Sequence, residues 1–131
     1  MSGETDLSKL LSSLEIMVSD EVFVFATIAT GTMPAGLAPQ MAFAEAEGLS
    51  LILTKTQAAA HDMAYEYESK MITLNIHSSL EAVGFMAHIS ALLADAGISV
   101  NPVAGFYHDH LFVPVAKVDE ACQILRMISS S

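Results

Sequence analysis

The second half of the chain constrains the fold most, because it reads strand, helix, strand, strand, helix and then stops. Residues 70–76 (KMITLNI) form a strand by their β-branched and apolar content. Residues 80–96 place Val83, Met86, Ile89, Leu92, Leu93 and Ala96 on one helical face, and Gly97 ends that helix at the C′ position. Residues 98–104 and 109–115 are strands around a turn at 105–108. Residues 118–128 are a helix with Val118, Ala121, Cys122, Leu125 and Ile128 on one face. Its first turn carries Asp119 and Glu120 and its last carries Arg126, as the helix dipole favours. Residues 129–131 form a frayed tail. Such an order makes an α+β layer with helices on one face of an antiparallel sheet. A ferredoxin-like βαββαβ unit needs a fourth strand, and none follows Ile128. That strand must come from the first half.

The first half has the material. Thr5 or Asp6 caps a short helix running to about Leu14. Residues 21–28 (EVFVFATI) are a strand, 29–39 a Gly/Pro loop, 40–47 a second strand, and Gly48 turns the chain into a third at 49–54. Thr54 or Thr56 then caps a helix to about Ala64. A weak internal repeat links the halves: Leu49, Leu51, Leu53, Lys55 and Ala59 recur in step as Leu111, Val113, Val115, Lys117 and Ala121. Each copy is a strand feeding a helix. Residues 21–28 then correspond to 70–76. The first copy lacks the long helix after its first strand, and the amino-terminal helix is expected to fill that gap.

Composition excludes several functions. The 131 residues carry 15 acidic and 5 basic side chains, a net charge of -10. Five scattered bases cannot neutralise a nucleic-acid backbone or hold an anionic membrane surface. Residues 22–44 carry no charge and are long enough to span a bilayer. Gly31, Pro34, Gly36 and Pro39 break any continuous helix there, so the run reads as strand, loop, strand. No signal peptide is visible at the start, which sets a cytoplasmic expectation. Cys122 has no partner for an intrachain disulfide and reads as an inert core thiol. Hydrophobic residues make up 53% of the chain, more than a small monomer covers easily, so self-association is expected, most simply as a two-fold dimer.

Two segments carry a family likeness. Residues 72–84 (ITLNIHSSLEAVG) followed by ADAGISVN at 94–101 resemble the core of ACT domains, and VAGFYHDHLFVP at 103–114 is similar to a family of small bacterial tandem ACT proteins. The eukaryotic cytosolic arginine sensors carry related modules. The resemblance covers about residues 6–128. It implies two ACT-like units, 1–68 (incomplete, with the amino-terminal helix) and 69–131, with the ferredoxin-like ACT architecture. It further implies a non-catalytic regulatory or sensor role, self-association, a small-molecule ligand (usually an amino acid) and no cofactor. In such domains the ligand lies between the first strand–helix loop of one module and a strand of a neighbour. Carried over, the loop is 77–84 and the strand position is Asn101. The ACT loop is commonly shorter and often Asp-x-x-Gly; here two serines and Glu81 intervene.

The loop chemistry suits a zwitterion. Ser78 or Ser79 can cap the helix, whose free N–H groups can receive a carboxylate. Val83 belongs to the same loop, and Gly84 permits close backbone approach. Glu81 can accept an ammonium, and Asn101 offers donor and acceptor. The plainer interpretation stands beside it: a serine helix start, a packing glycine and a polar strand end. His108-Asp109-His110 is the other chemical triplet. Alternation puts His108 and His110 on one face, as ligand contacts, as structural hydrogen-bonded groups, or with His77 or His88 as a three-histidine metal site serving a small enzyme. A structural protein-interaction module without a ligand is the third class. No nucleophile elbow, P-loop or dinucleotide fingerprint is present.

Overall fold

The computed structural model describes residues 6–76 and 82–130. The chain divides into two compact units, residues 20–69 and residues 1–19 with 70–131. The grouping therefore crosses chain order.

The larger unit starts with helix α1 (Leu7–Ser12), capped by the Asp6 carboxylate, which accepts from the Lys9 N–H at 3.0 Å. Strand β1 (Ile16–Val18) follows. Sequence reading passes over these three residues. They pair antiparallel with β5 (Glu66–Leu74) in the register Ile16 with Leu74, Met17 with Thr73 and Val18 with Ile72. Then come α3 (Phe85–Asp95), β6 (Asn101–Ala104), β7 (Asp109–Pro114), a 3-10 turn at Val115–Lys117 and α4 (Val118–Ser130). The strand order in this unit is β1–β5–β7–β6. That is the ferredoxin-like arrangement with its fourth strand supplied from before the module. Leu10, Leu14, Ile72, Leu74, Phe85, Ile89, Leu93, Leu111, Val113 and Leu125 are buried together, with Ile16 and Val18 packed against them. Helix α1 joins this core, so it does not fill the gap expected in the first copy. Its buried leucines belong with α3 and α4.

Helix α3 ends as expected. Gly97 takes φ +75, the Ile98 N–H donates to the Leu93 carbonyl at 3.0 Å, and the Gly97 N–H donates to Ala94 at 2.9 Å. Helix α4 departs from expectation by running on to Ser130. Arg126 therefore lies inside the helix, not in its last turn.

The smaller unit holds β2 (Phe23–Ile28), β3 (Met41–Glu45), β4 (Gly48–Thr54) and α2 (Lys55–Ala60). The uncharged run is thus strand, loop and strand, and among the described residues no helix is long and apolar enough to cross a membrane. Val24, Leu51, Leu53 and Ala58 form the core here. Thr54 caps α2, accepting from the Gln57 N–H at 3.2 Å, and the helix stops at Ala60, four residues early, because Asp62 turns left-handed at φ +52. The first part of β5 pairs with β2 through a bulge, in which one residue of β2, Val24, faces two of β5, Tyr67 and Glu68. Tyr67 sits in that bulge at φ +65, and its ring meets Phe25 edge-on at 5.5 Å. A left-handed non-glycine residue costs ~1–2 kcal/mol, which the aromatic contact offsets in part.

Residues Ala46 and Glu47 make the β3–β4 turn, and Gly48 opens β4. A side chain at Gly48 would place Cβ 2.8 Å from the Ile28 carbonyl oxygen and 3.2 Å from Thr27 Oγ1. Backbone cannot yield as a side-chain tip can. Gly48→Ala is expected to destabilise the protein by about 1–3 kcal/mol, measured as a lower urea midpoint with an unchanged slope.

Candidate ligand site

The β5–α3 loop is the first candidate. His77, Ser78, Ser79 and Glu81 lie outside the described residues. The described part corrects one expectation. Helix α3 starts at Phe85, not near Leu80, because Gly84 holds φ +90 and cannot join a right-handed helix. Gly84 is the N-cap and offers no side-chain hydrogen bond, so neither serine takes that position. The Gly84 carbonyl accepts the first helical bond from the His88 N–H at 3.0 Å. Buried Phe85 anchors the first turn in the core, while Val83 is 85% exposed. The positive end of an eleven-residue helix thus adjoins the exposed Val83. The glycine is required by its dihedral angle: a Cβ there would meet only Leu7 Cδ2, at an ordinary 3.7 Å.

The β6–β7 turn is fastened to the start of that loop. His108 Nδ1 lies 2.9 Å from the Ile76 carbonyl oxygen. A carbonyl only accepts, so Nδ1 carries the proton, and a neutral ring keeps Nε2 as an acceptor. The Gly105 N–H closes the turn onto the His108 carbonyl at 2.9 Å. Phe106 and Tyr107 project from it, 74% and 68% exposed, with their rings edge-on at 5.1 Å.

His110, half-buried, meets a residue of β5. Its Nδ1 lies 2.9 Å from Thr73 Oγ1. Burial pushes its pKa below the ordinary 6.5, the neighbouring His108 pushes the same way, and Asp109 opposes both.

Of the expected site residues, the structure brings His108 to the start of the loop. Asp109 pairs with Ala104 beside the turn. Asn101 does not join them. It is exposed and pairs with Phe112 at the far end of the hairpin, ~10 Å along the strand from Ala104 at the usual rise. His88 is exposed on α3 and lines a groove of about 750 Å³ with Leu11, Leu92, Ile124 and Met127, a lining that includes neither His108 nor His110. Among the described residues no three His, Cys, Asp or Glu side chains converge as metal ligands. Cys122 is buried, and desolvation raises its thiol pKa, which suits an unreactive thiol.

Sequence reading missed a second groove. Val18, Lys70, Val118, Asp119, Cys122, Gln123 and Arg126 line a cavity of about 400 Å³. One signal was available: Lys70 ends the core-facing stripe of Lys70, Ile72 and Leu74, where a cation is out of pattern.

Two models of the ACT domain match this chain, one over residues 2–70 and one over residues 66–127. A protein of unknown function from Vibrio cholerae, described as a possible transport protein, is 36% identical with a TM-score of 0.86, covering 94% of this chain and 95% of that one. A protein from Agrobacterium tumefaciens is 15% identical at TM-score 0.74, with 88% and 89% covered. The regulatory subunit of aspartate kinase from Thermus thermophilus is 8% identical at TM-score 0.60, with 86% and 95% covered, a likeness of fold. No curated protein matches.

The His110 shift has a pH consequence. Well above pH 6.5 the imidazole is neutral in both folded and unfolded chains. As pH falls below 6.5 the unfolded chain takes the proton first, so this residue lowers stability until its folded-state pKa is passed. Chemical denaturation between pH 7.5 and 5 is expected to show that fall, and His110→Gln is expected to flatten it.

Proposed function

The chain belongs to the ACT-domain family, with two of its domains in tandem, and from that premise we propose a regulatory module that binds an amino acid at the β5–α3 loop and has no catalytic activity of its own. The carrying observation is Gly84, a left-handed N-cap that leaves the positive end of α3 beside the exposed Val83. In this reading the first-turn N–H groups receive the α-carboxylate. Ser78, Ser79 and Glu81 supply the polar wall and Glu81 takes the ammonium. Val83 contacts the ligand's apolar part. His108 and Asp109 lie on the turn side, where the His108 Nε2, left over from the Nδ1 contact with Ile76, is the acceptor.

Asn101 contributes from a second module or a second copy, since its own strand carries it away from the loop. A homodimer supplies such a copy. Exposed Met17, Phe43, Phe106 and Met127 favour self-association. We further read the sequence as two repeats, 1–68 and 69–131, acting in the cytoplasm.

Thermal unfolding against a panel of amino acids at millimolar concentration tests this. At least one is expected to raise Tm by mass action. Gly84→Val, which forces a β-branched residue to φ +90, is expected to remove that shift and to cost about 1–3 kcal/mol of stability. No shift with any amino acid in the wild-type protein contradicts the ligand claim, and light scattering showing only monomer contradicts the assembly claim.

A further inference from the structure

We propose that the groove between β1 and α4, lined by Lys70, Arg126, Gln123 and Asp119, binds an acidic amino acid, an α-amino dicarboxylate. This site is independent of the loop reading. Lys70 lies near one end of the unit's share of β5 and Ile76 beyond the other, ~20 Å apart at the usual strand rise.

Charge scarcity comes first. A chain of net charge -10 has five basic side chains and repels anions over most of its surface. Lys55 is engaged by Glu68 at 3.1 Å and Lys117 by Glu120 at 3.8 Å. Lys70 and Arg126 instead line one groove that, among the described residues, holds a single carboxylate, Asp119.

Placement is the second point. Lys70 lies on the same strand face as Ile72 and Leu74, which are fully buried in the core. It is itself half-buried and lines the groove together with Val18. Arg126 sits inside α4, where the helix dipole gives no reason for a cation. Asp119, Gln123 and Arg126 recur at helical spacing and line the opposite wall, and both charges act on the Cys122 thiol between them.

The chemistry then follows by matching. Two cations and one carboxylate complement two carboxylates and one ammonium in number and sign. The Arg126 fork suits a carboxylate held by two bonds, Lys70 a second carboxylate, and Asp119 the ammonium. Gln123 can donate or accept beside them. Val18, Val118 and Cys122 offer an apolar floor for the ligand's methylenes. About 400 Å³ falls in the range of small-molecule pockets, ~300–1,000 Å³.

Isothermal titration with L-glutamate, L-aspartate, succinate and inorganic phosphate tests the proposal. Saturable binding of glutamate or aspartate is expected. Arg126→Gln and Lys70→Gln are each expected to weaken it roughly tenfold or more, the loss of one charge-assisted pair. Asp119→Asn is expected to weaken the amino acid and leave succinate unchanged. Gly84→Val is expected to leave this affinity unchanged, which separates it from the loop site. Arg126 is exposed, so its replacement leaves the core intact, and circular dichroism of the ligand-free variant verifies that. No saturable binding of either amino acid overturns the proposal. So does an affinity indifferent to Arg126→Gln, or phosphate binding as tightly as glutamate with no dependence on Asp119.

Discussion

The pairing of β1 with β5 is the interaction on which the larger unit depends. Its strand–helix–strand–strand–helix order leaves one edge of β5 open, and an open edge is a row of unpaired N–H and C=O groups. Three residues close it. The Ser19 N–H reaches the Met71 carbonyl at 2.9 Å and the Asn75 N–H reaches Glu15 at 2.7 Å, so the ladder extends one residue past β1 at each end. Ile16 and Val18 then lie on the side of Leu74 and Ile72 and extend the core, while Met17 faces outward, 61% exposed. Helix α1 arrives with the strand and adds Leu10 and Leu14 to the same core. The first nineteen residues therefore belong in space with the last sixty-two.

Most of this was legible in the residues. The strand at 49–54, the Asp6 and Thr54 caps and the Gly97 stop are strong local signals, and each took its expected role. The strand–helix–strand–strand–helix order called for one more strand, and Ile16–Val18 of the first half supplies it. What was not legible has physical causes. Ile16–Val18 is too short for a period to show. The start of β5 reads Glu-Tyr-Glu-Ser, a polar stretch whose strand is set by a bulge and by Ser69 Oγ donating to the Phe23 carbonyl at 3.0 Å. The apolar spacing of 80–96 continues through Gly84 as though the helix did, and only the left-handed dihedral angle shows the break.

The site was legible in part for the same reason. Residue types nominated the loop and the turn histidines. Spacing alone could not show that His108 is held by Ile76 while Asn101 is carried to the other end of its hairpin. Arg126 is the clearest case. A helix thought to end at Ile128 makes it a dipole partner; a helix ending at Ser130 makes it one wall of a groove. The acidic balance of the chain thereby gains a local exception, where two of five cations face the same space.

Native-state hydrogen exchange tests the central claim most directly, that the amino-terminal strand is an integral part of the larger unit. The amides of Ser19 and Asn75 are expected to exchange in the slow class of that unit, together with Leu93 and Val113, through one shared opening. Fast, independent exchange at Ser19 and Asn75, with Leu93 and Val113 still protected, would contradict it.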